Sequence, residues 1–129
     1  MTPPKPSWLV LIVEDTPTNM LMLRTILVRA GHRVVEATTA EQARQQLQLV
    51  KPDLILMDVQ LPGQDGLSLT RELKADPRTA PIPIVAVTAH AMKGDEEQAL
   101  AAGCAGYISK PVNTRSLPQQ LAAVLAQNR

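Results

Sequence analysis

The sequence predicts an α/β fold with a doubly wound parallel sheet. Strand-like apolar segments alternate five times with helix-like segments along its 129 residues. The strand segments are almost continuous in Val, Ile and Leu, which is typical of parallel strands covered by helices on both faces. Glycine or proline follows each of the first four helix segments, where the chain must turn back toward the sheet. Periodicity alone does not choose the strand order.

The first strand and helix follow a short tail. Residues 1–7 are polar and proline-rich, and we expect them to be flexible, with one folded domain over 8–129. Trp8–Val13 predicts the first strand, and Pro17–Ala30 has helical periodicity that ends at Gly31, a C-cap candidate.

The second and third pairs are bounded by capping and turn residues. Val34–Ala37 predicts a strand, and Thr38 or Thr39 can cap a helix that runs to about Val50. Leu54–Met57 predicts the third strand, which a turn-rich loop at 61–66 connects to a short helix. That helix spans 67–75 and ends before Asp76-Pro77.

The fourth and fifth pairs complete the sheet. Ile84–Val87 and Tyr107–Ser109 predict the strands, and Met92–Ala102 predicts a helix that Gly103 ends. The last helix has an apolar face made of Leu117, Leu121, Val124 and Leu125. Pro118 lies near its start, so regular hydrogen bonding must begin near Ser116, or the first turn must be irregular.

Composition excludes several classes of protein. Thirteen basic and 12 acidic residues give a net charge of +1, so we expect neither nucleic acid nor a membrane surface as partner. The single cysteine, Cys104, cannot form an internal disulfide, and we expect it to be a packed thiol. The longest apolar segment is far shorter than the roughly 20 residues that span a bilayer. We therefore expect a cytoplasmic protein.

Five polar residues stand at the carboxyl ends of predicted strands: Glu14, Asp15, Asp58, Thr88 and Lys110. The carboxyl ends of parallel strands lie along one edge of the sheet, where ligands bind, so we expect these side chains to meet. Clustered carboxylates repel one another, and an ammonium or a divalent cation relieves that repulsion. An all-oxygen site of this kind suits Mg²⁺, and one carboxylate can then serve as nucleophile toward phosphorus. The alternative is an acidic sheet edge with solvated carboxylates.

Three sequence segments resemble the response-regulator receiver domain of two-component signalling. They are LIVEDTPTN, PDLILMDVQLPGQDGL and PIVAVTAHAMKGDEEQALAAGCAGYISKPV, and the resemblance covers the chain from Trp8 onward. It is strongest to single-domain receivers and to the receivers of hybrid kinases. The resemblance implies a flavodoxin-like (βα)₅ sheet with strand order 2-1-3-4-5.

The resemblance also implies a role for each site residue. Asp58 would be the phosphoacceptor, and Mg²⁺ would be bound by Glu14, Asp15, Asp58 and the backbone carbonyl of Gln60. Thr88 and Lys110 would bind the phosphoryl group, and the Lys110–Pro111 bond is commonly cis in this family.

The resemblance further implies a conformational switch. Thr88 would move toward the phosphoryl group and Tyr107 would turn inward. The face around the fourth helix, the fifth strand and the fifth helix would then bind a downstream protein target differently. Side chains at Gln60 and His90 commonly affect the phosphoryl lifetime in this family. The sequence leaves open whether phosphorylation also produces a dimer.

The first helix carries a second apolar surface. Leu21 and Val28 lie nearly opposite its predicted core face, and we predict that a histidine kinase or a histidine phosphotransfer domain docks there. The residues predicted to share the core face are Met20, Leu23, Ile26, Leu27 and Ala30.

The main interpretation is a signalling receiver in a phosphorelay, which assists only its own phosphorylation and dephosphorylation and is not otherwise an enzyme. The chain is either a stand-alone regulator, as its start and its close after the last helix suggest, or a receiver excised from a hybrid kinase. An aspartate-nucleophile, Mg²⁺-dependent phosphatase is less favoured, because no carboxylate stands two residues after Asp58 and no cap domain is present. A flavodoxin-like binding module would need a glycine-rich or hydroxyl-rich phosphate loop where Glu14 and Asp15 stand.

Overall fold

Five parallel strands form the sheet at the centre of the molecule. The computed structural model describes residues 7–61, 63–88 and 93–127. The strand order is β2-β1-β3-β4-β5, which confirms the predicted 2-1-3-4-5 arrangement. The strands are β1 (Leu9–Val13), β2 (Arg33–Ala37), β3 (Leu54–Asp58), β4 (Ile84–Thr88) and β5 (Gly106–Ser109).

One helix follows each strand. The helices are α1 (Pro17–Arg29), α2 (Ala40–Leu49), α3 (Gly66–Ala75), α4 (Lys93–Ala102) and α5 (Leu117–Gln127). None of those that the structure describes is long and apolar enough to cross a membrane. The predicted elements are all present, and their boundaries within the described residues differ by a few residues at most. The predicted start of the fourth helix at Met92 and residues 1–6 of the predicted flexible tail lie outside the described residues.

Local capping explains where several helices begin and end. Gly31 and Gly103 follow α1 and α4 with φ of 96° and 109°, the left-handed conformation that glycine adopts most readily. Between the two candidate caps of α2, the structure selects Thr39, whose hydroxyl accepts a hydrogen bond from the Gln42 N–H at 3.1 Å.

The proline in α5 falls where a missing N–H costs little. The Asn113 side chain accepts hydrogen bonds from the N–H groups of Arg115 and Ser116, which forms a turn ahead of the helix. Pro118 is the second residue of α5, and Gln120 donates to the Ser116 carbonyl at 2.9 Å. Regular hydrogen bonding therefore begins near Ser116, which is the first of the two starts predicted from Pro118.

The core has two layers, one on each face of the sheet. One layer contains residues of α1 and α5, and the other contains residues of α2, α3 and α4. In α1, Met20, Leu23 and Leu27 are buried as predicted. Ile26 and Ala30 are only half-buried, because they line a groove of about 540 Å³ between α1 and α5. The predicted core face of α1 is thus correct at its centre and too wide at its edge.

Candidate functional site

Two buried carboxyl groups lie side by side at one edge of the sheet. Glu14 directly follows β1 and Asp58 ends β3, and these neighbouring strands pair through Val13 and Met57. Glu14 is 1% exposed and Asp58 5% exposed, whereas Asp15 is open to solvent. One carboxylate oxygen from each of the three residues lies within 4.8 Å of the others. The predicted acidic cluster is therefore present.

Lys110 reaches this cluster from the far side of β4. Its ammonium Nζ lies 2.9 Å from Glu14 Oε1 and 3.7 Å from Asp58 Oδ2. Its backbone N–H donates to the Thr88 carbonyl at 2.7 Å, so the ends of β4 and β5 stay together. The Lys110–Pro111 peptide bond is cis, as the resemblance implied.

Thr88 ends β4 beside the acidic cluster. Its Cα pairs in register with Ser109, and the preceding Val87 pairs with Asp58. The side chain is buried and lines a cavity of about 260 Å³. That cavity is also lined by Gln60, Asp95 and Tyr107, so it connects the acidic edge with α4.

The burial of two adjacent carboxyl groups controls their protonation. Burial, followed by the hydrogen bond and negative charge of Glu14, raises the pKa of Asp58 to about 7. Burial acts in the same direction on Glu14, but hydrogen bonds from Asp58, Lys110 and the Thr16 N–H outweigh it and lower the pKa of Glu14. The two groups therefore share a proton near neutral pH, and a divalent cation would displace it.

The loop after β3 is fixed against Asp58. The Gln60 N–H donates to Asp58 Oδ1 at 3.0 Å, and the Gly66 N–H donates to the Val59 carbonyl at 2.8 Å. A Cβ at Gly66 would lie 2.1 Å from the Asp58 carbonyl oxygen. Sequence reasoning treated Gly66 only as a turn residue and missed this contact. Its position at the start of a helix, directly after the capping Asp65, was the available signal.

Tyr107 and the α1 patch occupy other surfaces. Tyr107 is half-buried in β5, and burial together with the carboxylates of Asp95 and Glu96 raises the pKa of its phenol. Leu21 and Val28 are each 54% exposed, which confirms the predicted exposure but leaves docking a prediction. Tyr107, Leu21 and Val28 all lie outside the acidic cluster. His90 lies outside the described residues.

The donor set fits a hard divalent cation. Three carboxylates at two adjacent strand ends supply oxygen ligands only, and the exposed position of Asp15 leaves one side open to water. Mg²⁺ prefers oxygen ligands and keeps several waters. No His or Cys belongs to this cluster of described residues, so the ligand set is not one that Zn²⁺ favours.

Comparison with known proteins gives three findings. Residues 10–122 match the family model of the response regulator receiver domain. The chain is 44% identical over 104 residues to the polar-differentiation response regulator DivK of Brucella anthropi, covering 81% of this chain and 85% of that protein.

Solved structures give the third finding. The receiver domain of a sensor histidine kinase from Pseudomonas aeruginosa has a TM-score of 0.85 at 36% identity, covering 94% of this chain and 99% of that one. That structure has a magnesium ion coordinated in its active-site cleft. The receiver domain of a histidine kinase from Syntrophus aciditrophicus has a TM-score of 0.85 at 32% identity, covering 94% and 92%.

Proposed function

Because the chain belongs to the response regulator receiver domain family, we propose that it is a phosphorelay switch whose Asp58 accepts a phosphoryl group from a phosphohistidine. One observation carries the proposal: the Asp58 carboxyl is buried beside two further carboxylates and within 3.7 Å of the Lys110 ammonium. Phosphoryl transfer needs mainly cations and hydrogen-bond donors around the phosphoryl oxygens. This edge of the sheet can supply both.

Asp58 is the nucleophile of the proposed transfer. A carboxylate oxygen of Asp58 forms a new bond to phosphorus, and the bond from phosphorus to the histidine nitrogen breaks. The electron pair of that bond stays on the imidazole nitrogen, which takes up a proton. Lys110 and Thr88 bind the oxygens of the transferred group, because Lys110 supplies an ammonium 3.7 Å from Asp58 and Thr88 supplies a hydroxyl at the end of the adjacent strand.

Mg²⁺ is the proposed cofactor. Glu14, Asp15, Asp58 and the backbone carbonyl of Gln60 would hold it. A bound dication neutralises the charge that the carboxylates and the phosphoryl group bring together. The magnesium ion in the cleft of the Pseudomonas aeruginosa receiver supports this assignment.

Direct phosphorylation tests the proposal. Incubation with acetyl phosphate and Mg²⁺ should add the mass of one phosphoryl group to the wild type, as measured by intact mass spectrometry. Asp58→Asn should gain none, because an amide is not a nucleophile toward phosphorus. Asp53→Asn is the matched control, since Asp53 precedes the other end of the same strand. A wild type that gains no mass, or an Asp58→Asn that gains it, would contradict the proposal, and turnover of a phosphomonoester would favour the phosphatase.

The phosphodonor is proposed to dock on α1. Leu21 and Val28 form an exposed apolar pair on the helix that begins three residues after Glu14, and a histidine kinase or phosphotransfer domain would cover it. Leu21→Lys with Val28→Lys should abolish transfer from a phosphotransfer domain that phosphorylates the wild type. Phosphorylation by acetyl phosphate should be unchanged, and Leu49→Lys is the control, since Leu49 is an exposed leucine at the end of α2. Unaltered protein-to-protein transfer would exclude the patch.

The conformational response to phosphorylation is proposed to involve Thr88 and Tyr107. Both line the cavity of about 260 Å³ between the acidic cluster and α4, and this cavity gives an inward-turned phenol space to enter. The altered face would bind a downstream protein target. Beryllofluoride, a phosphate mimic, should shift the NMR signals of Tyr107 in the wild type and not in Asp58→Asn. Unshifted Tyr107 signals in a beryllofluoride-bound protein would exclude this route.

A further inference from the structure

Arg44 joins three parts of the molecule. It projects from α2, and its guanidinium contacts both oxygens of Glu72 in α3, with Nε to Oε2 at 2.6 Å and Nη2 to Oε1 at 2.8 Å. The same Nη2 donates to the side-chain oxygen of Gln64. Gln64 belongs to the loop between β3 and α3, and its own amide donates to Ser68 Oγ at 3.4 Å.

That loop is already anchored at both ends. It begins directly after Asp58, where the Gln60 N–H binds the Asp58 carboxylate. At the other end, the Asp65 side chain caps α3 by accepting from the Ser68 N–H at 2.8 Å. The Arg44 contact to Gln64 holds the loop from the side, between these anchors. The described residues of this loop, 59–61 and 63–65, are therefore held at three points, and the third is a side chain from another helix.

We propose that Arg44 is a positioning residue for Mg²⁺ binding. Its hydrogen bond to Gln64 keeps the β3–α3 loop in the position from which the Gln60 carbonyl can bind Mg²⁺ together with the three carboxylates. This inference rests on the proposed function, since it concerns the same cation. Arg44 does not touch the acidic cluster. It acts through Gln64 and the loop.

An arginine suits this task for geometric reasons. Its planar, fork-shaped guanidinium can form two parallel hydrogen bonds to a carboxylate and still donate a third in a fixed direction. The ammonium of a lysine is a single rotating group and does not fix three donors in this way. The side chains of Arg44 and Glu72 are 38% and 45% exposed. An ion pair so open to solvent adds little to global stability, so the direction that it gives the guanidinium matters more than its energy.

Loss of the Arg44 charge and loss of its contact with the loop should change Mg²⁺ affinity in opposite directions, so a measurement can distinguish the two effects. Removing the positive charge of Arg44 should strengthen Mg²⁺ binding slightly by long-range electrostatics. Releasing the loop should weaken it. Loss of an outer partner of a metal ligand typically costs about 10- to 100-fold in affinity. Arg44 acts one residue further away, so we expect Arg44→Ala to weaken Mg²⁺ binding by about 3- to 10-fold.

The experiment is a Mg²⁺ titration of the unphosphorylated full chain, followed by the amide NMR shifts of Asp58 and Gln60. Arg44→Lys keeps the charge but not the fork, so it should weaken binding as Arg44→Ala does. Gln64→Ala should reproduce the effect, and combining it with Arg44→Ala should add nothing, because both break one contact. Arg71→Ala in α3 is the matched control, since its side chain is exposed and forms no hydrogen bond or ion pair with described residues.

A second readout needs no metal. Hydrogen exchange of the Gln60 amide in EDTA should speed up in Arg44→Ala and Gln64→Ala and stay unchanged in Arg71→Ala. The inference is overturned if Arg44→Ala or Gln64→Ala binds Mg²⁺ within twofold of the wild type, or if Arg71→Ala weakens binding equally. Those results would leave the proposed function intact. A wild type that neither binds Mg²⁺ nor gains a phosphoryl group would overturn both.

Discussion

At the scale of single residues, the lack of a side chain at Gly66 allows the start of α3 to approach the backbone of Asp58 closely. A Cβ at Gly66 would lie 2.1 Å from the Asp58 carbonyl oxygen and 2.9 Å from its carbonyl carbon. Both are backbone atoms, so no side chain can move aside. The hydrogen bond from the Gly66 N–H to Val59 depends on this close approach.

Gly66→Ala should therefore destabilise the fold and disturb the site together. We expect a loss of about 3 kcal/mol in the free energy of unfolding, at the upper end for overpacked positions, measured by urea denaturation. Gly94→Ala is the control, because nothing lies within 4 Å of a Cβ there, and it should stabilise α4 by about 0.5–1 kcal/mol. Equal effects of the two substitutions would contradict the close approach at Gly66.

The shared proton of Asp58 and Glu14 makes stability depend on pH. The folded-state pKa of Asp58 is about 7, whereas that of an unfolded aspartate is about 3.9. Between these values the folded chain holds a proton that the unfolded chain has lost, so the free energy of unfolding falls as pH rises from about 4 to 7. Above pH 7 the folded chain has lost this proton too, and the full destabilisation caused by the buried, charged Asp58 carboxylate is present.

Asp58→Asn should remove that penalty in EDTA. We expect the variant to be more stable than the wild type by about 2 kcal/mol at pH 8, with a difference that shrinks toward pH 4. The asparagine amide can also donate to Glu14, as the Asp58 carboxyl proton does. Urea denaturation at several pH values measures the difference, and parallel curves for the two proteins would refute the shared proton.

At the scale of secondary-structure elements, an aromatic pair connects the start of β1 to the turn after α1. The rings of Trp8 and His32 stack with centroids 4.5 Å apart and an angle of 14° between their planes. The Trp8 backbone N–H donates to His32 Nδ1 at 3.2 Å, which requires that nitrogen to be unprotonated. Burial lowers the pKa of His32.

This pair should stabilise the protein above the unfolded-state pKa of histidine, about 6.5, and progressively less as pH falls below it. His32→Asn retains an acceptor for the Trp8 N–H and removes both the stack and the titration. We expect it to be about 1 kcal/mol less stable at pH 8, with the gap narrowing at pH 5. Unfolding followed by Trp8 fluorescence measures this, and His90→Asn serves as control. A gap that stays constant with pH would contradict the prediction.

Sequence patterns predicted elements and strand-end residues better than contacts between elements. Glu14, Asp58 and Lys110 were found because each stands at or directly after the end of an apolar strand segment, and parallel strands end at one edge of the sheet. The roles of Gly66 and Arg44 were missed, because each depends on a contact with a residue at least eight positions away. Ile26 was expected in the core because periodicity shows which way a helix face points. It does not show how much of that face the neighbouring helix α5 covers.

At the scale of the whole molecule, Mg²⁺ should stabilise the fold through the folded-state site alone. At a concentration of 100 times the dissociation constant, linkage gives about 2.7 kcal/mol, which corresponds to a rise in Tm of about 10 °C for a chain of this size. Asp15→Asn removes an exposed ligand without disturbing the core, so its Tm should rise much less. Differential scanning calorimetry with and without EDTA measures both, and an equal rise in the two proteins would exclude Asp15 as a ligand.

The two helical layers have a further consequence for how signals pass through the protein. α1 lies on one face of the sheet and α4 on the other, and Asp58 lies at the edge that both faces share. If a phosphodonor binds α1 and a downstream target binds through α4, as proposed, the two partners would contact opposite faces of the sheet. A target that binds through α4 alone would then be able to associate before the donor has dissociated, whereas a target that also covers α5 would meet the donor on the face that α1 and α5 share.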